Sequence, residues 1–215
     1  MLTGRFAPSP SGRMHLGNVF SALLAWLSVR SRNGRMLLRI EALDPDRCRP
    51  DYIETLKRDL DWLGLDWDEE QTPQSMRADD YHAEFERLRA LGLVYPCYCS
   101  RAELHAASAP HASDGNVIYA GTCRSLTEAE RAAKIRKPAW RVIVPDTVIT
   151  VQDGLQGAYS ENLARDCGDF IIRRSDGVYA YQLAVVTDDA AGGVTEVIRG
   201  RDLLSLSLIH ISEPT

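Results

Sequence analysis

A stiff loop, Arg5-Phe6-Ala7-Pro8-Ser9-Pro10-Ser11-Gly12, runs into His15-Leu16-Gly17-Asn18 and then a long apolar stretch. The stretch reads as a helix, so the loop delivers the chain to a helix start. Free backbone N–H groups and the positive end of the helix dipole face whatever lies in front of it. Phosphate is the usual guest at such a place. Gly17 would let a flat base approach the backbone, and His15 can donate to a phosphate oxygen. A capped helix after a proline turn explains the loop equally well in isolation, so the remaining sequence has to decide.

The next segments build an α/β pattern around that loop. A helix is predicted over residues 17–33, with Val19, Leu23, Leu24, Trp26 and Leu27 as its apolar face and Asn33-Gly34 as its stop. Met36–Leu43 reads as a short, buried, parallel strand. The loop then sits at the carboxyl end of the first strand, where open α/β sheets bind ligands. Pro50 suits the first position of a second helix, with Ile53, Leu56, Leu60 and Leu63 as its stripe and Gly64 at its end. A third helix shows Tyr81, Phe85, Leu88 and Leu91 before Gly92. Such stripes are core.

After Tyr95-Pro96 the character changes. Residues 97–137 hold Cys97, Cys99 and Cys123, a stretch rich in Ala, Ser, His, Pro and Gly from Ala106 to Gly115, and a short charged helix near 126–137. This reads as an inserted module. Strand-like runs follow at Trp140–Val144 and Thr147–Val151, then a hairpin of 170–174 and 178–181 about Asp176-Gly177, and a buried segment at Leu183–Val186.

At 215 residues and 45% apolar, the chain can build a core, and its net charge of −5 excludes a generally adhesive polycation. A local basic face can still meet a nucleic acid. No membrane span or secretory signal is expected. Five cysteines without framework spacing suit a reducing cytoplasm.

Five separated pieces now stand in order. They are the Pro/Ser loop, His15-Leu16-Gly17-Asn18, Arg39-Ile40-Glu41, the run from Tyr179 to Asp189, and Val197-Ile198-Arg199-Gly200-Arg201-Asp202-Leu203. Over residues 3–205 the chain resembles the catalytic half of the glutamyl-tRNA synthetases, a class I family with a His-Ile-Gly-His element. Among them it is most similar to the short glutamyl-queuosine tRNA(Asp) synthetases, through Asp44-Pro45, the Cys-x-Cys and the later Tyr-x-x-x-Cys. The resemblance implies a Rossmann-like parallel-sheet α/β catalytic domain, in halves 1–95 and 166–205, with an inserted zinc-binding, acceptor-type module at 96–165. It implies a cytoplasmic ligase, with a monomer sufficing, that activates glutamate with ATP and Mg²⁺. The glutamate would pass to queuosine of tRNA(Asp).

By the same resemblance, Arg5 and Arg199 clamp the two carboxylates of glutamate, for which arginine's planar fork is suited. Glu41 receives the ammonium, Ser9 hydrogen-bonds nearby, and Tyr181 donates its hydroxyl. His15, Gly17 and Asn18 hold ATP phosphates, with His15 and Asn18 the catalytic pair, through positioning and charge stabilisation. Asp188-Asp189 reads as structural or as a rim feature. Cys97, Cys99 and Cys123 offer zinc three thiolates, and zinc takes four ligands. Ligand chemistry alone nominates His105 or His111 as the fourth, whereas the family pattern implies Tyr119.

Two departures matter. Ala42 stands where the family carries Asp, which predicts the loss of one acceptor near the pocket. The sequence also reaches Thr215 without a Lys-Met-Ser-Lys-Ser-like loop, and 206–215 does not read as the family's next helix. A truncation or artefact is expected there, with little adenylation by the chain as given. Two alternatives stay open: a fragment of an ordinary glutamyl-tRNA synthetase charging tRNA(Glu), and a non-catalytic glutamate- or tRNA-binding module.

Overall fold

The computed structural model describes residues 1–43, 48–100, 102–103 and 118–204, with the backbone alone of Asp202. Asp44-Pro45, His105, His111 and the atypical tail lie outside the described residues. Two compact units emerge, one of residues 1–81 and 184–204, the other of residues 82–183.

The first unit is built on parallel strands β1 (Thr3–Phe6), β2 (Arg35–Leu38) and β3 (Glu69–Glu70), in that order, with Gly4 bridged in parallel to Glu196 on the other side of β1. Helix α1 (Leu16–Arg30) connects β1 to β2, and α2 (Pro50–Trp62) precedes β3. A Cβ on Gly4 would stand 2.4 Å from Val29 Cγ2, so glycine lets α1 lie close on the sheet.

The predicted strand 36–43 is shorter as a regular ladder, and the reason is proline. Beyond Phe6 the partner strand becomes the Pro8–Pro10 loop, and proline has no N–H to return. Only one direction of bonding survives: Arg39 N–H donates to Phe6 O at 3.0 Å and Glu41 N–H to Pro8 O at 3.0 Å. The extended chain therefore runs on, alternating its faces. Leu38, Ile40 and Ala42 join an apolar cluster with Ala22, Leu56, Leu60 and Leu65. The intervening Arg39 and Glu41 are buried as well. The apolar face predicted for the first helix needs correction. Ala22, Ala25 and Val29 are buried, whereas Leu23 and Leu27 are exposed, as are Leu16 and Phe20.

The second unit holds an antiparallel sheet of β4 (Val94–Cys97), β5 (Ala139–Val142) and β8 (Ile171–Arg173), and a separate hairpin of β6 (Val148–Asp153) and β7 (Gly157–Asn162). Strand β4 spans the Tyr95-Pro96 that reads as a boundary in the sequence. Pro96 is tolerated because β4 is an edge strand, where a missing donor breaks no ladder. Helix α3 (Ala78–Ala90) enters this unit from the first, and short helices α4 (Glu128–Ala132) and α5 (Leu163–Asp166) lie within it. The expected second arm after Asp176-Gly177 is only a bridge from Arg173 to Tyr179. Tyr181 opens α6 (Tyr181–Ala191), in which the apolar Leu183–Val186 is one turn and Asp188-Asp189 the next.

Gly168 has φ +72°, and a Cβ there would stand 2.6 Å from Tyr119 O, whereas Gly121 at φ +76° meets nothing within 4 Å. Gly121→Ala should cost only the left-handed strain, ~1–3 kcal/mol. Gly168→Ala should cost clearly more, read as a larger drop in the urea midpoint.

Candidate functional site

The loop-to-helix junction is held by reciprocal caps. His15 Nδ1 accepts from Gly17 N–H at 3.1 Å, and Asn18 Oδ1 accepts from His15 N–H at 3.2 Å. An Nδ1 that accepts leaves the proton of the neutral ring on Nε2, a donor available to a ligand. The first turn carries no acidic residue, and His15, Leu16 and Gly17 are exposed. Gly17 has a second reason to be glycine, since a Cβ would lie 3.0–3.1 Å from the His15 ring. Ser9 is exposed on the loop, where its carbonyl accepts from Ser11 N–H.

Beneath the loop lies a buried cluster of arginines and carboxylates. Arg5 on β1 donates through Nε to both Asp189 oxygens, at 3.3 and 3.4 Å. Among the described residues its terminal nitrogens have no hydrogen-bond partner. Arg39 is fully buried and donates through Nη1 to Asp189 Oδ1 at 2.5 Å and through Nη2 to Glu41 Oε1 at 3.3 Å. Its Nε lies 3.7 Å from Asp188 Oδ2, without a hydrogen bond. Asp188, also fully buried, accepts from Arg77 Nη1 at 2.6 Å, Gln74 Nε2 at 2.8 Å and the Tyr81 hydroxyl at 3.1 Å. Burial raises the Asp188 carboxyl above its ordinary range despite these donors.

Arg5, Ser9 and Glu41 are thus brought together by β1, its loop and the extension of β2. Arg199 follows the segment bridged to β1 at Gly4, three residues beyond Glu196. Tyr181, half-buried, belongs to the second unit. Sequence reasoning missed how Arg39, Gln74, Arg77 and the two aspartates organise this cluster. The signal was present: Ala184 and Val185 are buried, and Asp188 and Asp189 follow each by four, which returns them to the same helix faces. Ala42 sits in the apolar cluster with Leu38 and Ile40, so the position where an acceptor was expected belongs to the packed core.

In the second unit the Cys97, Cys99 and Cys123 sulfurs lie within 4.8 Å of one another, a candidate metal site. Cys99 and Cys123 Sγ are 3.6 Å apart, and the Tyr119 hydroxyl is 3.5 Å from Cys97 Sγ and 4.0 Å from Cys99 Sγ. A tetrahedral ion with Zn–S bonds of ~2.3 Å requires ligand separations of ~3.8 Å. The separations of 3.5, 3.6 and 4.0 Å lie near that value. Cys123 N–H donates to the Tyr119 oxygen at 2.8 Å and so orients it. Burial works against the Cys97 thiolate, but hydrogen bonds from Tyr119 and Arg141 bring it below its usual value; burial beside Cys123 pushes Cys99 up to about 12.

The catalytic domain of class I tRNA synthetases (E and Q) matches residues 1–211. A glutamyl-Q tRNA(Asp) synthetase of Nitratidesulfovibrio vulgaris is 51% identical, covering 95% of this chain and 67% of its own. One of Neisseria meningitidis is 47% identical, with 95% and 68% covered. The solved glutamate tRNA ligase of Elizabethkingia meningosepticum, in complex with its amino acid, has TM-score 0.83 and 29% identity over 98% of this chain and 46% of that one. The chain therefore spans about two thirds of these curated relatives and under half of the solved one. Among the described residues no helix is long and apolar enough to cross a membrane.

Glu41 is pushed up to about 7, first by burial, with Arg39 and Arg5 pulling it down. Its ordinary value is 4.5, so the folded state holds the extra proton between the two. The stability Glu41 contributes is full below about pH 4.5 and is lost as pH rises through about 7. Glu41→Gln should remove that decline, on the order of 3 kcal/mol, read by urea unfolding at about pH 5 and pH 8.

Proposed function

The chain belongs to the catalytic-domain family of class I tRNA synthetases (E and Q), and we propose from that premise that it activates glutamate for transfer to queuosine in tRNA(Asp). In the first step a glutamate α-carboxylate oxygen attacks the α-phosphorus of ATP and pyrophosphate leaves. In the second, a hydroxyl of the queuosine cyclopentenediol attacks the acyl carbon and AMP leaves. The observation that carries the reading is Arg5. Asp189 grips only its Nε edge, which leaves the terminal nitrogens for a ligand carboxylate. The names of the curated relatives favour queuosine of tRNA(Asp) over the 3′ end of tRNA(Glu).

Arg5 and Arg199 take the two carboxylates and ionised Glu41 takes the ammonium. Ser9 and Tyr181 add hydrogen bonds. The exposed start of α1 receives the ATP phosphates, which arrive with Mg²⁺. Backbone N–H groups there, the His15 Nε2–H and the Asn18 amide meet negative charge as it builds on the α-phosphate oxygens. No covalent enzyme intermediate is needed. A cytoplasmic setting suits the free thiols.

Within the inserted module, 96–165, Cys97, Cys99, Cys123 and Tyr119 would hold one zinc ion. The ion would supply a structural cross-link between the end of β4 and the segment 119–123. The distances of the Tyr119 oxygen from the Cys97 and Cys99 sulfurs support Tyr119 as the fourth donor.

Arg5→Ala should weaken glutamate binding by ~30-fold or more, because it removes one side of a buried charge pair; calorimetry reads the loss. In a version extended to include a Lys-Met-Ser-Lys-Ser-like loop, charging should succeed with queuosine-containing tRNA(Asp) and fail with unmodified tRNA(Asp), whereas charging of tRNA(Glu) alone would support the ordinary synthetase reading. Tyr119→Phe should lower zinc affinity, and His111→Ala should leave it unchanged in a chelator competition.

A further inference from the structure

Arg141 is a buried cation that meets no carboxylate within ion-pair distance among the described residues. It sits on β5, is 6% exposed, and donates through Nη1 to the neutral carbonyl of Asp169 at 2.6 Å. The Asp169 carboxylate is occupied elsewhere, by Arg124, the Tyr95 hydroxyl and Val144 N–H. Among the described residues Arg141 makes no ion pair, and its buried Nε has no hydrogen-bond acceptor. A guanidinium removed from water without a counter-charge is costly. What it does touch is the cysteine cluster's tyrosine: its guanidinium carbon lies 3.8 Å from the centre of the Tyr119 ring.

A divalent ion held by three thiolates and a tyrosine carries excess negative charge, at least one unit. A fixed positive charge stacked on the ring of one of the four donors offsets it. Stacking on the ring also restricts the Tyr119 side chain, whose oxygen is already aimed by Cys123 N–H. We propose that Arg141 is the charge-compensating and positioning residue of the metal centre, holding Tyr119 in place for a divalent ion. This rests on the reading of Cys97, Cys99, Tyr119 and Cys123 as a zinc site.

The test uses the full chain, Arg141→Gln and Arg141→Lys. Gln keeps a donor for the Asp169 carbonyl without charge, and Lys keeps the charge without the planar stack. Zn²⁺ affinity is measured by competition with a chromophoric chelator, and folding by circular dichroism of the zinc-free proteins. The expected result is a ~10–100-fold loss of affinity in Arg141→Gln, the range typical of residues that support metal ligands, with most of it recovered in Arg141→Lys. Arg141→Gln within twofold of the parent, or both variants equally weakened, would overturn the proposal. If Arg141→Gln does not fold, Arg141→Lys decides alone: affinity within about threefold of the parent supports the role of charge, and a tenfold loss rejects it. A parent chain that binds no zinc would instead remove the metal reading itself.

Discussion

The first unit is organised by one carboxylate, that of Asp189, which joins Arg5 on β1 to Arg39 on the extension of β2. A fully buried guanidinium such as Arg39 is tolerable only when nearly every donor meets an acceptor. Asp189, Glu41 and the nearby Asp188 supply that surrounding charge. Helix α6 must therefore end against the carboxyl ends of the parallel strands, and Arg5 is fixed by one edge with the other edge unpartnered among the described residues. The cluster reads as a scaffold that holds a cationic edge in place before any ligand arrives. Preorganised charge of this kind is worth more than flexible charge, since no reorganisation opposes binding.

Proline sets the geometry of the same place. Because Pro8 cannot return a hydrogen bond, the ladder between β1 and β2 thins to one-sided contacts just where the loop begins to turn. The extended chain still places Arg39 and Glu41 on one face and Ile40 and Ala42 on the other. Backbone chemistry and the alternation of a strand thus decide which side chains reach the site.

Much of this was legible in the residues. The helices α1, α2 and α3, the parallel opening strands and the loop at their carboxyl end follow from periodicity and punctuation. Family motifs point to Arg5, Glu41 and the cysteines, and the structure places Tyr119 among those cysteines. What escaped was non-local. Arg39 pairs with Asp189 and lies beside Asp188, which in turn accepts from positions 74, 77 and 81, and no local pattern relates these residues. The exposure of Leu23 and Leu27 was hidden because Ala22, Ala25 and Val29, smaller side chains, are what the close approach at Gly4 admits. Strand β4 was masked by Pro96, which argues against a central strand but not an edge one, and β7 by its polar composition.

The central claim is that glutamate docks on the free edge of Arg5 while Asp189 keeps the other. A crystal structure of the chain with glutamate bound tests it directly. The account predicts a carboxylate within hydrogen-bond distance of the terminal nitrogens of Arg5, with the Arg5–Asp189 contact retained and the ammonium on Glu41. Glutamate bound elsewhere, with the terminal nitrogens of Arg5 still unengaged, would contradict it.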